Sequence, residues 1–218
     1  MSGFENEPVH GLPAFLPKGE RILWQGAPRA LSLARQAFMI GPVLVYFTVL
    51  GLWRVLEAMS LGAAPLAALG SAISLIPFAA ATVAILYLMA LWIARTTLYT
   101  ITNRRVVIRF GVALKMAVNL PFAEIGAADL KRSRDGSGTL ALTMTGNGRI
   151  AFLHLWPNVR PWHYLPTQPA LRAIAEPEAA AEALSGALAA YHGHSAAPVL
   201  SPAEKPAKAP GGALPAAG

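Results

Sequence analysis

Between Gln36 and Ala94 the chain carries only two charges, Arg54 and Glu57, standing close together. Around that pair run AFMIGPVLVYFTVLGLW and, toward the far end, SAISLIPFAAATVAILYLMALWIA, almost without polar interruption. Gln36 to Trp53 is eighteen uncharged residues. As a helix it reaches ~27 Å, close to the ~30 Å of hydrocarbon that a span must cross. The second uncharged run, Ala58 to Ala94, opens with Gly62, Pro65 and Gly70, which read as loop punctuation. Its helix is therefore predicted from roughly Gly70, with Pro77 as a bend that packing can tolerate. The two spans fall at about 36–54 and 70–94. Trp53 and Trp92 lie near their ends with Arg54 and Arg95 just beyond, the expected aromatic and snorkelling markers of a membrane interface. Helices this apolar on every side are rare in soluble cores. A cleaved signal peptide fits poorly, because the first run starts late and no short basic N-terminus precedes it.

After Arg95 the period changes. TTLYTITNRRVVIRFG is rich in β-branched and aromatic residues, and its Thr-Asn-Arg-Arg break marks a hairpin. VALKMAVNLPF predicts a third strand, ADLKRSR a fourth, and TLALTMT and RIAFLHL a pair joined at Gly146-Asn147-Gly148, where φ > 0 is cheap. Leu140, Leu142 and Met144 alternate with polar or small neighbours, the period of a half-buried strand. PALRAIA predicts a seventh strand. Glu176-Pro177-Glu178 then opens a helix with Leu184, Leu188 and Tyr191 on one face. From residue 193 onward Pro, Ala, Gly and Lys dominate, the composition of a disordered tail.

The expected fold class is thus an α+β membrane protein: a two-span transmembrane helical hairpin, then a seven-stranded β-sandwich or barrel with a C-terminal capping helix, in the layout of pleckstrin-homology-like domains. Residues 1–35 form an N-terminal segment, 36–94 the hairpin, 95–192 the β domain and 193–218 the tail. Within the first segment, Ile22, Leu23 and Trp24 make a patch too short for its own core. Two readings stand: residues 16–28 dock on the β domain as an added strand, or Trp24 anchors them in the headgroup region.

Charge sets orientation. Residues 1–35 hold four Lys or Arg and residues 95–218 hold thirteen, whereas the connection between spans has Arg54 alone. The positive-inside rule puts both termini in the cytoplasm. The net charge of +7 is spread rather than run together, so nucleic acid is not an expected partner. A domain lying against the anionic lipid bilayer explains it more simply. Absence of cysteine excludes disulfides, thiolate metal sites and Cys nucleophiles.

LPKGERILWQGAP, a two-span hairpin and LYTITNRRVVIRFG together resemble the bacterial membrane-anchored pleckstrin-homology family. Within it, FAEIGAADLKRSRDGSGTLALT, LHLWPNVRPWHY and QPALRAI resemble the photosynthetic complex assembly proteins of PuhB type, encoded beside the reaction-centre H subunit in purple phototrophic bacteria. The similarity covers about residues 12–191. It implies a non-enzymatic assembly factor of the bacterial inner (intracytoplasmic) membrane, acting on the reaction centre and its light-harvesting core antenna, and self-associating as a homo-oligomer. A general lipid-surface or membrane-stress module on the same fold is the alternative.

The residues themselves offer no catalytic constellation: there is no phosphate loop, GxSxG, HExxH or CxxC, and nothing pairs Glu124, Asp129 or Asp135 into an acid/base couple. Asp135, in RDGSG, reads as a turn residue. His192 and His194 flank a glycine without a third ligand near them, so neither a metal nor a cofactor is expected. No histidine lies in the hairpin, which disfavours antenna-style bacteriochlorophyll ligation. Ala79, Ala80, Ala81 and Ala84 either allow close helix packing or simply face lipid. Candidate partner-binding residues are Trp156, Arg160 and Trp162, two aromatics and an Arg among prolines, the types enriched at interface hot spots. A structural plug under the sheet would use the same tryptophans. Candidate membrane or acidic-partner contacts are Arg104 and Arg105 at the first hairpin turn and Lys131, Arg132 and Arg134 on the fourth strand.

Overall fold

A computed structural model describes residue 12 and residues 15–111, 116–145, 155–160 and 167–193. The first described elements are strand β1 (Ile22–Gly26) and helix α1 (Ala30–Gln36). Met39 then takes a left-handed conformation (φ 52°) and turns the chain into α2 (Ile40–Ser60). A short break leads to α3 (Pro65–Ile73), and Ser74–Leu75 separate it from α4 (Ile76–Thr96). From the sequence, Pro65 is expected as loop punctuation and Pro77 as a bend inside a helix. Both sit in the first turn of a helix instead, where the missing N–H costs nothing and the fixed φ suits the start. The predicted second span is thus two helices, and the first runs six residues past its expected end.

Four strands follow directly: β2 (Leu98–Thr102), β3 (Arg105–Phe110), β4 (Met116–Pro121) and, after a 3-10 turn at Phe122–Glu124, β5 (Ile125–Arg132). β6 (Gly138–Met144), β7 (Ala170–Ile174) and α5 (Pro177–His192) complete the described elements. The predicted RIAFLHL strand and its Gly-Asn-Gly turn lie outside the described residues, apart from Leu155. All described pairings are antiparallel, giving a four-stranded sheet β1-β2-β3-β4 and a three-stranded sheet β5-β6-β7. No ladder joins the two sheets among the described residues, so the expected sandwich or barrel is not a closed barrel.

β1, which precedes the helices, pairs with β2, which follows them: Trp24 lies opposite Ile101 and Gly26 opposite Tyr99. The added-strand reading of that patch therefore describes its place, with Trp24 packed against the main core. That core is one cluster in which Tyr99, Ile101, Val106 and Ile108 of the first sheet meet Leu140, Leu142, Leu171 and Ile174 of the second. α5 closes it, contributing Ala180, Ala181, Leu184 and Leu188 and touching β1, β2, β5 and β6. Tyr191, expected on the same face, is half-exposed and stacks edge-on against Phe122 at 5.8 Å. A Cβ at Gly138 would collide with Pro177, so this glycine lets the start of α5 sit directly on β6. Gly193, in the left-handed conformation, ends the helix.

Two helices, Ile40–Ser60 and the kinked Pro65–Thr96, are long and apolar enough to cross a membrane. Val45, Val49, Trp53, Phe78, Ile85 and Leu88 all point outward from them, uncovered. The helices meet the β domain at one end only. There Leu33 of α1 packs with Ile93, Ala94 and Ala173, and Ala34 with Ile40 and Ala90.

Candidate functional site

The join between helices and sheets is built on Arg172, the one charged residue of the fully buried strand ALRAI. Its Nη2 donates to the carbonyl of Gln36 (2.7 Å), at the C-terminal end of α1, and its Nη1 to the carbonyl of Pro157 (3.3 Å). A cation suits the negative end of a helix. Burial pulls the guanidinium below its ordinary pKa, and nearby Tyr99 opposes that shift. Tyr99 is itself buried; its hydroxyl donates to Asn158 Oδ1 (2.7 Å) and accepts from the Arg172 backbone N–H (3.2 Å). Burial raises its pKa well above the usual tyrosine value. Next to Arg172, Ala173 takes a left-handed φ of 53°, and its carbonyl accepts from the Arg29 N–H at 2.8 Å. A non-glycine residue there costs about 1–2 kcal/mol, held in place by the packing of α1. The side chain of Gln36 adds a second clamp. Its Nε2 donates to Ser133 Oγ (2.9 Å) and Ser137 Oγ (3.0 Å), and its Oε1 accepts from Thr139 Oγ1 (3.2 Å).

Beside this join lies an apolar recess of about 370 Å³ lined by Met89, Trp92, Ile93, Phe110, Trp156 and Pro157. Trp156 is 40% exposed and meets Phe38 edge-on at 5.4 Å; Trp92 is 61% exposed. The backbone behind Trp156 is fixed. Pro157 and Asn158 are buried, the Ala170 N–H donates to the Asn158 carbonyl, and Val159 bridges to Pro169. Of the predicted partner-binding residues, Trp156 faces the recess, whereas Trp162 lies outside the described residues. Arg160 is ion-paired to Asp129 (2.9 Å) and bonded to Gln168 Oε1 (3.0 Å), which ties it to the loop. Met89, Trp92 and Phe110 complete the recess, and Phe38 braces Trp156 edge-on. Only Trp92 carried a sequence signal, as an interface marker, because the others are brought together from three separate segments.

The basic candidates divide into two groups at opposite ends of the β domain. β2 leaves α4 at Leu98 and runs away from it, so Arg104 and Arg105 at the β2–β3 turn stand at the far end. As candidate membrane or acidic-partner contacts they therefore stand away from the helices. Arg105 is moreover engaged: its Nε and Nη2 donate to the two carboxylate oxygens of Glu20 at 2.9 and 3.1 Å, and the Glu20 side chain is 2% exposed. Thr102 Oγ1 donates to the same carboxylate (2.8 Å). Lys131 and Arg132 end β5, and Arg134 lies in the following turn rather than on the strand. These three stand near Arg35 of α1, around a recess of about 480 Å³. Arg132 pairs with Glu178 at the start of α5. Asp135 is a turn residue, as expected. Its carboxylate accepts from Ser137 N–H (3.1 Å) and Oγ–H (2.7 Å). Hydrogen bonds from the Ser137 and Ser32 side chains hold its pKa down at about 2.

Comparison with known proteins fits this architecture. An uncharacterized 23.7 kDa protein in the puhA 5′ region of Rhodobacter capsulatus is 39% identical over 185 residues, covering 84% of this chain and 86% of that protein. No solved structure matches the chain. The family model for the bacterial PH domain matches residues 35–188, from the end of α1 through most of α5. The chain therefore belongs to the bacterial PH domain family.

Proposed function

We propose that this protein is a non-enzymatic assembly factor of the bacterial inner membrane. Its α2 and α3–α4 helices would hold nascent pigment-protein helices while the β domain, on the cytoplasmic side, captures a subunit of the photosynthetic reaction centre or its core antenna. The observation that carries this reading is the aromatic recess of Trp156, Trp92 and Phe110 at the seam between helices and sheets, with Phe38 edge-on against Trp156. It offers exposed aromatic surface on a fixed backbone, at the level where a partner's helix would leave the bilayer. Anchors of this kind dominate binding energy because little ordering is lost on contact. The uncovered apolar faces of the helices suit packing against other spans. The relative's position by puhA and the PuhB-type resemblance support the photosynthetic partner. Exposed Arg29, Arg35 and Arg95 gather at the β-domain end of the helices, with Arg54 alone at the other, which supports cytoplasmic termini.

The test is a tagged full-length pull-down from gently solubilised phototrophic membranes, with wild type beside Trp156→Ala. Wild type should recover reaction-centre or antenna subunits and Trp156→Ala should lose them. Deleting the gene should lower the core complex with pigment synthesis intact. A normal core-complex level in that strain would overturn the proposal. A defect in cells grown without photosynthesis would instead favour a general lipid-surface role.

A further inference from the structure

We propose that Arg35, Lys131 and Arg134 form a binding site for the phosphate of an anionic phospholipid headgroup, at the point where α1 passes into the first span. The inference rests on reading α2 and α3–α4 as membrane-spanning. Arg35 is exposed in the last turn of α1, five residues before α2 begins at Ile40. Leu33 and Ala34 pack against Ile93, Ala94 and Ala90, so Arg35 stands level with the last turns of α4, where Trp92 is. That is the depth at which indole rings and basic side chains meet headgroups. Leu31, one turn earlier on the same face as Arg35, is also exposed and suits a helix touching the acyl boundary.

The β5–β6 turn is brought to the same place by a specific bond set. The three hydrogen bonds between the Gln36 side chain and Ser133, Ser137 and Thr139 fix the turn beside α1. They leave a recess of about 480 Å³ bordered by Arg35, Lys131, Arg132 and Arg134. Two carboxylates must be counted against it: Glu178 is paired with Arg132, and Asp135 lines the recess and is held ionised by bonds from the Ser137 N–H and hydroxyl, which against Arg35, Lys131, Arg132 and Arg134 still leaves the opening positive. Among the described residues Arg35, Lys131 and Arg134 form no ion pair, so three exposed cations converge on one opening. Arg104 and Arg105 cannot serve, being at the far end.

The full-length protein is placed in nanodiscs of mixed phosphatidylglycerol and phosphatidylcholine, and the lipid retained after mild delipidation is read by native mass spectrometry. Wild type should retain phosphatidylglycerol at least about tenfold in preference. Each of Arg35→Gln, Lys131→Gln and Arg134→Gln should lower that preference by about fivefold, the worth of one cation at a lipid surface. Arg104→Gln should not change it, and Arg35→Lys with Arg134→Lys should keep most of it while showing that the chain still folds. Equal retention of the two lipids by wild type, or an unchanged preference in the triple Gln variant, overturns the proposal. So does displacement of phosphatidylglycerol by equimolar inorganic phosphate, which would assign the cluster to a soluble anion. Carbonate extraction of native membranes separates the two levels: a chain released into the supernatant refutes the spans, whereas an integral chain without lipid preference refutes this site alone.

Discussion

Replacing Tyr99 by Phe removes one oxygen from the centre of the join and leaves the ring's volume in place, so no cavity is made. The hydroxyl donates to Asn158 Oδ1 at 2.7 Å and accepts from the Arg172 N–H at 3.2 Å, and all three residues are buried. Without it, one buried acceptor and one buried donor lose a partner. Each stranded group costs about 1–3 kcal/mol, and water has no ready route to either, so the two together have a central value of about 4 kcal/mol. For a chain of this size that lowers the unfolding midpoint by roughly 8–16 °C. The measurement is thermal unfolding of the full chain in detergent, followed by tryptophan fluorescence. Tyr191→Phe is the control, since that ring is half-exposed and stacked on Phe122; it should stay within about 0.5 kcal/mol. Asn158→Ala should cost a similar amount, and the double variant clearly less than the sum, because the two changes break one bond. Burial raises the folded-state pKa of Tyr99 above the usual 10. The hydroxyl's contribution is therefore full below pH 10 and falls only as the pH rises beyond it, so the difference between wild type and Tyr99→Phe should be flat across neutral pH. A midpoint for Tyr99→Phe within 1 °C of wild type would refute the reasoning.

Three further outcomes follow from the same geometry. A fragment of residues 95–192 lacks β1, so the β2 edge and part of Tyr99 and Ile101 lose their cover; it should aggregate, and fusing residues 15–36 to it should restore a soluble monomer by gel filtration. Glu20→Gln removes a buried carboxylate that accepts from Arg105 and Thr102 and should cost about 1–3 kcal/mol in denaturant unfolding while leaving the phosphatidylglycerol preference unchanged. The folded-state pKa of Asp135 lies at about 2 against an ordinary value of 3.8, so its contribution is present above pH 4 and is lost as the pH falls toward 2. The gap in melting temperature between wild type and Asp135→Asn should close over that interval, and a gap that persists at pH 2 would contradict the bonding described.

What was legible in the sequence was whatever depends on near neighbours. The alternation through Leu140, Leu142 and Met144, the hairpin signal at Thr102–Arg105 and the Pro177 helix start are local patterns, and each is where it was expected. The two prolines of the second apolar run were misread because a helix start and a helix break use the same residue; only the partner helix decides, and α3 exists by packing on α2. Arg172 gave no warning, since one Arg in ALRAI looks like an exposed strand position until α1 and the Pro157 loop cover it. The basic residues were visible as charges but not as two groups at opposite ends, because that division is set by the direction in which β2 leaves α4. Gln36 looked like the polar edge of a span, and its three bonds reach residues about a hundred positions away.

The pairing of β1 with β2 has a consequence for biogenesis. The whole helical insertion lies between two adjacent strands of one sheet, so on the proposed spanning of α2 and α3–α4 the bilayer is crossed an even number of times for those strands to meet. A chain that inserted only its first helix would leave β1 and β2 on opposite sides of the lipid, each with an unpaired apolar edge. With both helices spanning as proposed, completion of the sheet would act as a proofreading step for insertion: the β domain would finish folding only on molecules in which both helices had crossed. Failed molecules would display the raw strand edge that quality-control proteases and holdases recognise.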